Sequence, residues 1–370
     1  MNKDNSNTNS KRLVSLDVLR GLTVFGMILV NNGAGKEHFE ALKHSAWNGL
    51  TPCDLVFPFF LFIVGVSIYI SLSKRKASFE AGSASSLPTL KKILYRTTLL
   101  FIIGIALHAW DMLLKGQENL LANLRLTSVL QRIALSYGIA SIIFLYVKPR
   151  YLWAIVLALL GGYSYLLLAY NGYAPSDENF ANTVDRAVFG AEHLYRKGPI
   201  DPEGIPGLIS SVAHTIIGVL VGMALFGKEV KKRPLARVLI VSVVMIGVAC
   251  LLSVWLPINK RVWSPSYVFV TCGLATALLV LLTIVVDEKG HDKWCKLFQI
   301  FGLNALGLYV ISEMLPAIFG LAGIYDAVWG AISSAISFPR LASLFYALFF
   351  CSVMSIIAWL LWRFKIFIKL

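Results

Sequence analysis

Charged residues are scarce in this sequence. Asp, Glu, Lys and Arg together make up 15% of the 370 residues, whereas 57% belong to the apolar and aromatic set, and the mean hydropathy is +0.71. So little charge excludes an intrinsically disordered chain. An ordinary soluble domain has no core large enough to bury so much apolar surface. The composition therefore predicts an all-α, polytopic membrane protein.

Cysteine is also sparse, with five residues and no C-x-x-C pair. Neither a disulfide framework nor a zinc site is supported, so we predict no metal. Acidic residues are fewer than basic ones, 20 against 34, and the formal net charge is +14. In a membrane protein this excess usually marks loops on the cytoplasmic side, so we expect the lipid bilayer, and no nucleic acid, as a partner.

Apolar runs of about 20 residues, the length of helix that crosses a hydrocarbon core about 30 Å thick, predict ten spans. They are 14–32, 53–73, 93–114, 127–147, 151–170, 207–226, 235–256, 264–286, 297–318 and 340–362. A further stretch, 319–336, is interrupted by Asp326 and three glycines. It predicts a re-entrant or interfacial helix or, as the less favoured alternative, an eleventh span.

The remaining organisation is simple. Residues 1–12 are polar, and no convincing cleavage site follows the first apolar run, so we expect an uncleaved first span and one transmembrane domain over 13–370. Gly218 and Gly222 have the small-xxx-small spacing of closely packed helices, which we interpret as structural.

The basic residues predict the orientation of the spans. If the N-terminus is cytoplasmic, 22 of the 34 Lys and Arg residues fall in inner segments and 10 in outer ones, with Arg20 and Arg132 inside spans. This asymmetry predicts that both termini face the cytoplasm. The outer loops 33–52 and 171–206 then share one side of the membrane.

The loop between the first two spans carries the most informative polar residues. It contains His44, Trp47 and Asn48, and Asp54 follows at the start of the second span. A histidine titrates near neutral pH, so His44 can act as a general base or accept an acyl group; the alternative is an ordinary surface residue. Asn31, at the end of the first span, can donate an amide hydrogen bond to a thioester carbonyl or its oxyanion.

Ionisable residues inside spans are costly and are therefore candidates for function. Asp17 and Arg20 lie three residues apart on one face of the first helix, which fits either an ion pair or the binding of a cofactor phosphate. Gln131 and Arg132 lie inside the outer end of the fourth span. There Arg132 has either Asp54 as a structural partner or a substrate to orient.

Other polar residues are predicted to share the outer side. They are Glu203 before the sixth span, Trp263 and Ser264 at the start of the eighth, and Asn304 and Glu313 in the ninth. Each fits a structural role when taken alone. Together they indicate a substrate pocket between helices at one end of the bundle.

Several stretches resemble a known family. Residues 12–21, Val30-Asn31 and above all 44–58 resemble the transmembrane acyltransferases typified by lysosomal heparan-alpha-glucosaminide N-acetyltransferase. The resemblance continues in the same order at 129–132, 201–204 and 259–267, and so spans most of the chain. The segment between Asn31 and His44 is about two residues longer than in that family.

The resemblance implies transfer of an acetyl group from cytosolic acetyl-CoA to the amine of a glucosamine-type sugar on the far side of the membrane. It implies that His44 is the active-site histidine, as base or acetyl acceptor, and that Asn31 is its companion. We predict cofactor contacts from Arg20 and Gln131. The predicted substrate-binding residues are Trp47, Asn48, Asp54, Arg132, Glu203, Trp263 and Ser264.

The sequence leaves other functions and partners open. A transporter for an amino sugar fits the composition, although it should show an internal repeat, and none is evident. An O-acyltransferase acting on a cell-wall glycan shares the histidine chemistry and differs only in the acceptor. A homodimer is left open, and the short basic inner loops favour a bacterial cytoplasmic membrane.

Overall fold

The computed structural model describes residues 13–117, 119–195, 200–227 and 234–368. These ranges fold into helices without strands, which confirms the all-α prediction; the predicted polar segment 1–12 lies outside them. The helices are α1 (Val14–Asn31), α2 (Val56–Glu80), α3 (Leu87–Leu114), α4 (Leu120–Asn123), α5 (Val129–Tyr146), α6 (Leu152–Ala169), α7 (Phe180–Phe189), α8 (Ile205–Phe226), α9 (Leu235–Leu252), α10 (Pro265–Leu282), α11 (Lys296–Leu303), α12 (Ala305–Leu321), α13 (Ile324–Ala335) and α14 (Pro339–Arg363).

Nine helical segments within the described ranges are long and apolar enough to cross a membrane, and ten if one bent pair counts as a span. The nine correspond to predicted spans one to eight and ten. The predicted ninth span, 297–318, is wrong as a continuous helix, because Lys293–Leu303 and Ala305–Leu321 meet at a bend of 75°.

Asn304 explains the bend. Its side chain donates a hydrogen bond to the Ile366 carbonyl at 2.9 Å and accepts one from the Ile368 amide at 2.8 Å. Asn304 itself leaves helical geometry, with φ −123° and ψ 31°. Asn304 therefore lies with the C-terminal residues and not at the end of the bundle that contains His44, contrary to the prediction that these polar residues share one end.

The stretch 319–336 does not form an eleventh span. The chain leaves α12 at Leu321, turns at Gly323 with φ +69°, and continues as α13. A helix of 12 residues is about 18 Å long, well short of the hydrocarbon thickness. The structure therefore agrees with the prediction of a short interfacial or re-entrant helix and not with an eleventh span.

The described ends of the chain lie together at one end of the bundle. Ser15 donates to the Asp287 carboxylate from its amide at 3.1 Å and from its hydroxyl at 2.8 Å. This end, with Ser15, Asp287 and residues 364–368, is called the terminal end. The opposite end, called the histidine end, contains residues 32–55, where the Gly49 amide donates to the Ile258 carbonyl at 2.8 Å.

Helices α2 and α8 are in backbone contact. A Cβ atom added to Gly65 would lie 2.0 Å from the Thr215 carbonyl oxygen, and one added to Gly218 would lie 2.3 Å from that of Phe62. Gly222 meets Val66 one turn further along. The structural interpretation of Gly218 and Gly222 is thus confirmed, and α2, the helix that follows Asp54, is held firmly.

Replacing Gly218 with isoleucine should lower the melting temperature of the detergent-solubilised protein by several degrees. The new side chain would have to force two helix backbones apart, and overpacking of this kind typically costs about 1–3 kcal/mol. The matched control is Gly247→Ile in α9, where an added Cβ meets nothing within 4 Å. Equal melting temperatures for the two variants would contradict close packing at Gly218.

Candidate active site

Asp54 is fixed in a short turn at the start of α2. Thr51 and Pro52 begin the 3₁₀ turn Pro52–Leu55, and the Asp54 side chain closes a capping box with Thr51. The amides of Ser45 and Thr51, each at 3.1 Å, and the Thr51 hydroxyl, at 3.0 Å, all donate to Asp54 Oδ2. The side chain is fully buried. Its second oxygen, Oδ1, therefore points in one fixed direction.

That second oxygen holds His44. The imidazole Nδ1 lies 2.8 Å from Asp54 Oδ1, while half of the His44 side chain remains exposed. Because a carboxylate can only accept a hydrogen bond, Nδ1 carries the proton of the neutral ring and Nε2 keeps its lone pair. His44 is therefore oriented as a base or nucleophile with an accessible reactive nitrogen. The Cys53 thiol lies 3.1 Å from Nδ1 and completes this corner.

Lys260 is the closest cation to this pair, and sequence reasoning did not single it out. Its Nζ lies 3.0 Å from His44 Nδ1, 3.2 Å from Nε2 and 3.6 Å from Asp54 Oδ1. Burial lowers the pKa of Lys260 from its ordinary value, and the neighbouring Asp54 carboxylate opposes this shift. The only sequence signal was its place in the family-like stretch 259–267, which lies more than 200 residues from His44 along the chain.

Two predicted substrate residues hold the loop that carries Lys260. Asn48 accepts a hydrogen bond from the Asn259 side chain at 3.0 Å. The Ser264 hydroxyl accepts from the Asn259 amide at 3.0 Å and caps α10 by accepting from Tyr267. Both residues have protein partners, and their contact with a substrate stays a prediction.

The two tryptophans that were predicted to bind substrate also contact other protein groups. Trp47 donates to the Tyr173 carbonyl at 2.9 Å and so joins the loop that follows α1 to the loop that follows α6. Trp263 is fully buried, packs edge-on against Phe57, and has the Arg132 guanidinium 5.2 Å from its ring centroid. A substrate can reach Trp263 only if these neighbours move.

Arg132 does not pair with Asp54, contrary to the structural partner suggested by the sequence. It is buried and donates to the Gly204 carbonyl at 2.8 Å, while Asp54 is engaged by His44 and Lys260. Gln131 lies beside the Ser128 hydroxyl. Both Gln131 and Arg132 line a small pocket of about 40 Å³ at the histidine end.

Glu203 and Asp201 share one arginine. Arg125 lies 2.7 Å from Glu203 and 2.6 Å from Asp201, and its guanidinium stacks 4.8 Å from the ring centroid of Tyr195. Burial alone would lower the pKa of Arg125, but the two carboxylates outweigh it and the pKa is raised. Glu203 is therefore a fixed negative charge at the histidine end.

Asn31 lies next to a carboxylate that the sequence identified only as polar. The Asn31 side chain interacts with Glu313 of α12, and Glu313 in turn influences Tyr309 one turn earlier. Glu203 interacts electrostatically with both Tyr309 and Lys260. The Asn31 and His44 corners are therefore linked electrostatically through Glu203.

Arg20 lines a different and larger cavity. It pairs with Asp17 at 3.2 Å and donates to the Ser67 hydroxyl at 3.1 Å, so the expected ion pair is formed. The cavity measures about 330 Å³, within the range of small-molecule sites, and Arg96 is its second cation. It lies beside the bend between α11 and α12. The predicted cofactor residues Arg20 and Gln131 thus line separate cavities.

Asp185 is a buried acid in the segment before α8. Its Oδ1 accepts from the Ile205 amide at 2.8 Å, while Oδ2 has no partner. Burial, aided by Asp201, raises its pKa from 3.8 to about 7, although the Ile205 amide and Arg132 oppose the shift. The folded protein therefore binds this proton more tightly than the unfolded chain between about pH 4 and pH 7.

The melting temperature should consequently fall as the pH rises from 5 to 8, and Asp185→Asn should flatten this fall. A raised acid pKa contributes stability that is complete below the unfolded pKa and is lost as the pH rises through the folded value, by up to about 1.4 kcal/mol per pH unit. The control is Asp177→Asn at an exposed carboxylate just before α7, the helix that carries Asp185. Identical pH profiles for wild type and Asp185→Asn would refute the assignment.

The described residues show no group of three or more His, Cys, Asp and Glu side chains that could hold a metal ion.

Residues 12–183 match the family described as "Heparan-alpha-glucosaminide N-acetyltransferase, catalytic". This region includes Asn31, His44 and Asp54.

Two curated relatives are similar over most of the chain. Both are named heparan-alpha-glucosaminide N-acetyltransferase, one from Homo sapiens and one from Mus musculus, and both are 30% identical to this chain, over 373 and 378 residues. The alignments cover 83% and 84% of this chain. They cover 54% and 55% of the relatives, so the chain spans about half of their length.

Proposed function

We propose that this chain, which matches the heparan-alpha-glucosaminide N-acetyltransferase family over residues 12–183 and is 30% identical to two curated proteins of that name, transfers an acetyl group from acetyl-CoA to the amine of a glucosamine-type sugar. The observation that carries the proposal is the His44–Asp54 pair, in which a buried carboxylate orients a half-exposed imidazole. This is the arrangement that general-base or nucleophilic acyl transfer requires.

His44 removes the proton that the attacking amine must lose. The amine nitrogen attacks the thioester carbonyl carbon, a C–N bond forms, and the carbonyl electrons move to oxygen. The C–S bond then breaks, and the departing sulfur takes a proton from the imidazolium. In the two-step alternative His44 Nε2 attacks the thioester carbon first, the C–S bond breaks, and CoA leaves as a thiolate. The amine then attacks the acetyl carbon, the bond to Nε2 breaks, and the proton of the amine passes through the freed Nε2 to the CoA sulfur or to water. Asp54 holds the ring in the same orientation in both routes.

Acetyl-CoA enters from the terminal end in this proposal. The cavity beside Arg20 and Arg96 offers two guanidinium groups that suit phosphate, with an apolar wall that suits an alkyl arm. His44 lies at the opposite end of α1 and α2. The acetyl group therefore crosses the membrane while CoA does not, with both termini cytoplasmic and the acceptor outside a bacterial cytoplasmic membrane.

The test uses sealed vesicles of known orientation that contain the full chain. Acetyl-CoA is supplied on either the terminal or the histidine side, and glucosamine is supplied on the other. Acetylation is expected only when acetyl-CoA is on the terminal side. Turnover only from the histidine side would overturn the arrangement.

The acceptor series separates the alternatives. N-acetylglucosamine has no free amine, so its acetylation would indicate an O-acyltransferase. Accumulation of labelled glucosamine without acetyl-CoA would indicate a transporter. The proposed function predicts neither result.

A further inference from the structure

Lys260 is held against His44 by a rigid loop. The Val262 amide donates to the Asn259 side chain at 3.1 Å, and the Trp263 amide donates to the Lys260 carbonyl at 3.1 Å. The Tyr163 hydroxyl donates to the Val262 carbonyl at 2.6 Å. With the Asn48–Asn259 contact described above, these bonds fix the loop to the histidine end before any substrate binds. Preorganised groups of this kind are the ones that stabilise transition states.

The position of the Lys260 ammonium leaves the reactive nitrogen of His44 unblocked. Nζ is almost equally distant from both nitrogens of His44, at 3.0 and 3.2 Å. A position in the ring plane with those two distances would collide with Cε1, so Nζ lies over the face of the ring. It therefore does not occupy the lone pair of Nε2, which stays free to take a proton.

Charge balance favours a protonated Lys260. Asp54 is fully buried, and Lys260 is the cation beside it at 3.6 Å, with a side chain that is 14% exposed. Removing the proton from Lys260 would leave the Asp54 carboxylate without this counter-charge, which is costly in a buried site. Glu203 adds a second, more distant negative charge that acts in the same direction.

We propose that Lys260 is a catalytic residue of this site, whose ammonium stabilises the oxyanion formed on the acetyl carbonyl next to His44. The proposal rests on the proposed function and adds to it a residue that the family-like motif around His44 does not contain. Asn31, which interacts with Glu313, is then not the sole hydrogen-bond donor to the oxyanion, because Lys260 also donates to it.

The chemical step balances without any further reactant. When nitrogen attacks the thioester carbon, the negative charge on oxygen is met by an N–H of Lys260, which keeps its proton throughout. The proton of the attacking amine goes to His44 Nε2 and then to the departing sulfur as the C–S bond breaks. The two-step route passes through a similar oxyanion in each half, so the role of Lys260 is the same.

The experiment compares Lys260→Met with Lys260→Arg in the full chain. Loss of an oxyanion donor typically lowers kcat about 100- to 1000-fold, so Lys260→Met is expected to show that loss, with KM for acetyl-CoA changed by less than about threefold. Lys260→Arg keeps the positive charge and should recover at least about tenfold in kcat. Arg261→Met, a charge change one residue away, serves as the control and should stay close to wild type.

Two outcomes would overturn the proposal. One is a folded Lys260→Met protein with kcat within about threefold of wild type. The other is a Lys260→Arg protein no better than Lys260→Met, which would mean that Lys260 acts as a neutral amine. If the methionine variant does not fold, Lys260→Gln replaces it with the same expectation.

CoA thiol release without acceptor distinguishes failure of this proposal from failure of the proposed function. Hydrolysis of acetyl-CoA also passes through an oxyanion, so the Lys260 series can be measured by that assay even if no amino sugar is acetylated. A wild-type protein that releases no CoA thiol, either with or without the amino-sugar acceptor, would overturn both proposals together.

Discussion

Replacing His44 with alanine is expected to reduce acetyl transfer at least about 1000-fold while the protein still folds and binds acetyl-CoA. The variant loses the imidazole that takes the proton of the attacking amine in the proposed reaction, and general acid–base or nucleophilic catalysis by one side chain commonly supplies factors of this size. Because half of the His44 side chain is exposed, its removal leaves no sealed cavity in the core. Activity is measured by labelled acetyl transfer, and binding by the acetyl-CoA-dependent shift in melting temperature.

The matched control is His38→Ala. His38 lies in the same loop but bonds the Ser343 hydroxyl at 2.7 Å, with no contact to Asp54 or Lys260 shown. This variant should keep most of its activity. If His44→Ala retained more than about a tenth of wild-type activity, or if both variants lost activity equally, His44 would not be the catalytic histidine.

Asp54→Asn is expected to lower kcat about 100- to 10,000-fold and also to destabilise the protein. An amide can present its NH₂ group to His44 Nδ1 and favour the wrong tautomer, in which Nε2 carries the proton. The same change leaves Lys260 without its buried counter-charge, and breaking a buried pair typically costs about 3–5 kcal/mol. Activity and urea or thermal unfolding in detergent report the two effects separately.

The double variant Asp54→Asn/Lys260→Met distinguishes the two effects. It removes both charges, so it should recover part of the stability lost by Asp54→Asn while remaining inactive. Full activity in Asp54→Asn would show that His44 needs no carboxylate. Additive destabilisation in the double variant would show that Asp54 and Lys260 do not interact.

The sequence predicted those parts of the fold and site that depend on neighbouring residues. Span positions follow from local hydropathy, so nine of them agree with helices of the structure to within seven residues at either end. The motif that contains His44 and Asp54 was identified as the most informative one, although the sequence suggested Arg132 as the partner of Asp54 and the structure pairs Asp54 with His44.

The features that the sequence did not predict depend on distant contacts. The bend at Asn304 arises from bonds to residues more than 60 positions later, and nothing within the apolar run itself signals it. Lys260 reaches His44 because the loop after α9 bonds to Asn48. Glu313 was identified as polar, but its position beside Asn31 depends on how α12 packs after that bend.

The backbone contact between α2 and α8 fixes the helix that follows Asp54 within the interior of the bundle. Asp54 continues directly into α2, which is locked against α8 through Gly65 and Gly218, whereas α9 presents side chains such as Val243 to the exterior. A thicker or thinner bilayer would change the tilt of such peripheral helices first, and this change need not move the His44 imidazole. The chemistry should therefore tolerate wide variation in lipid composition.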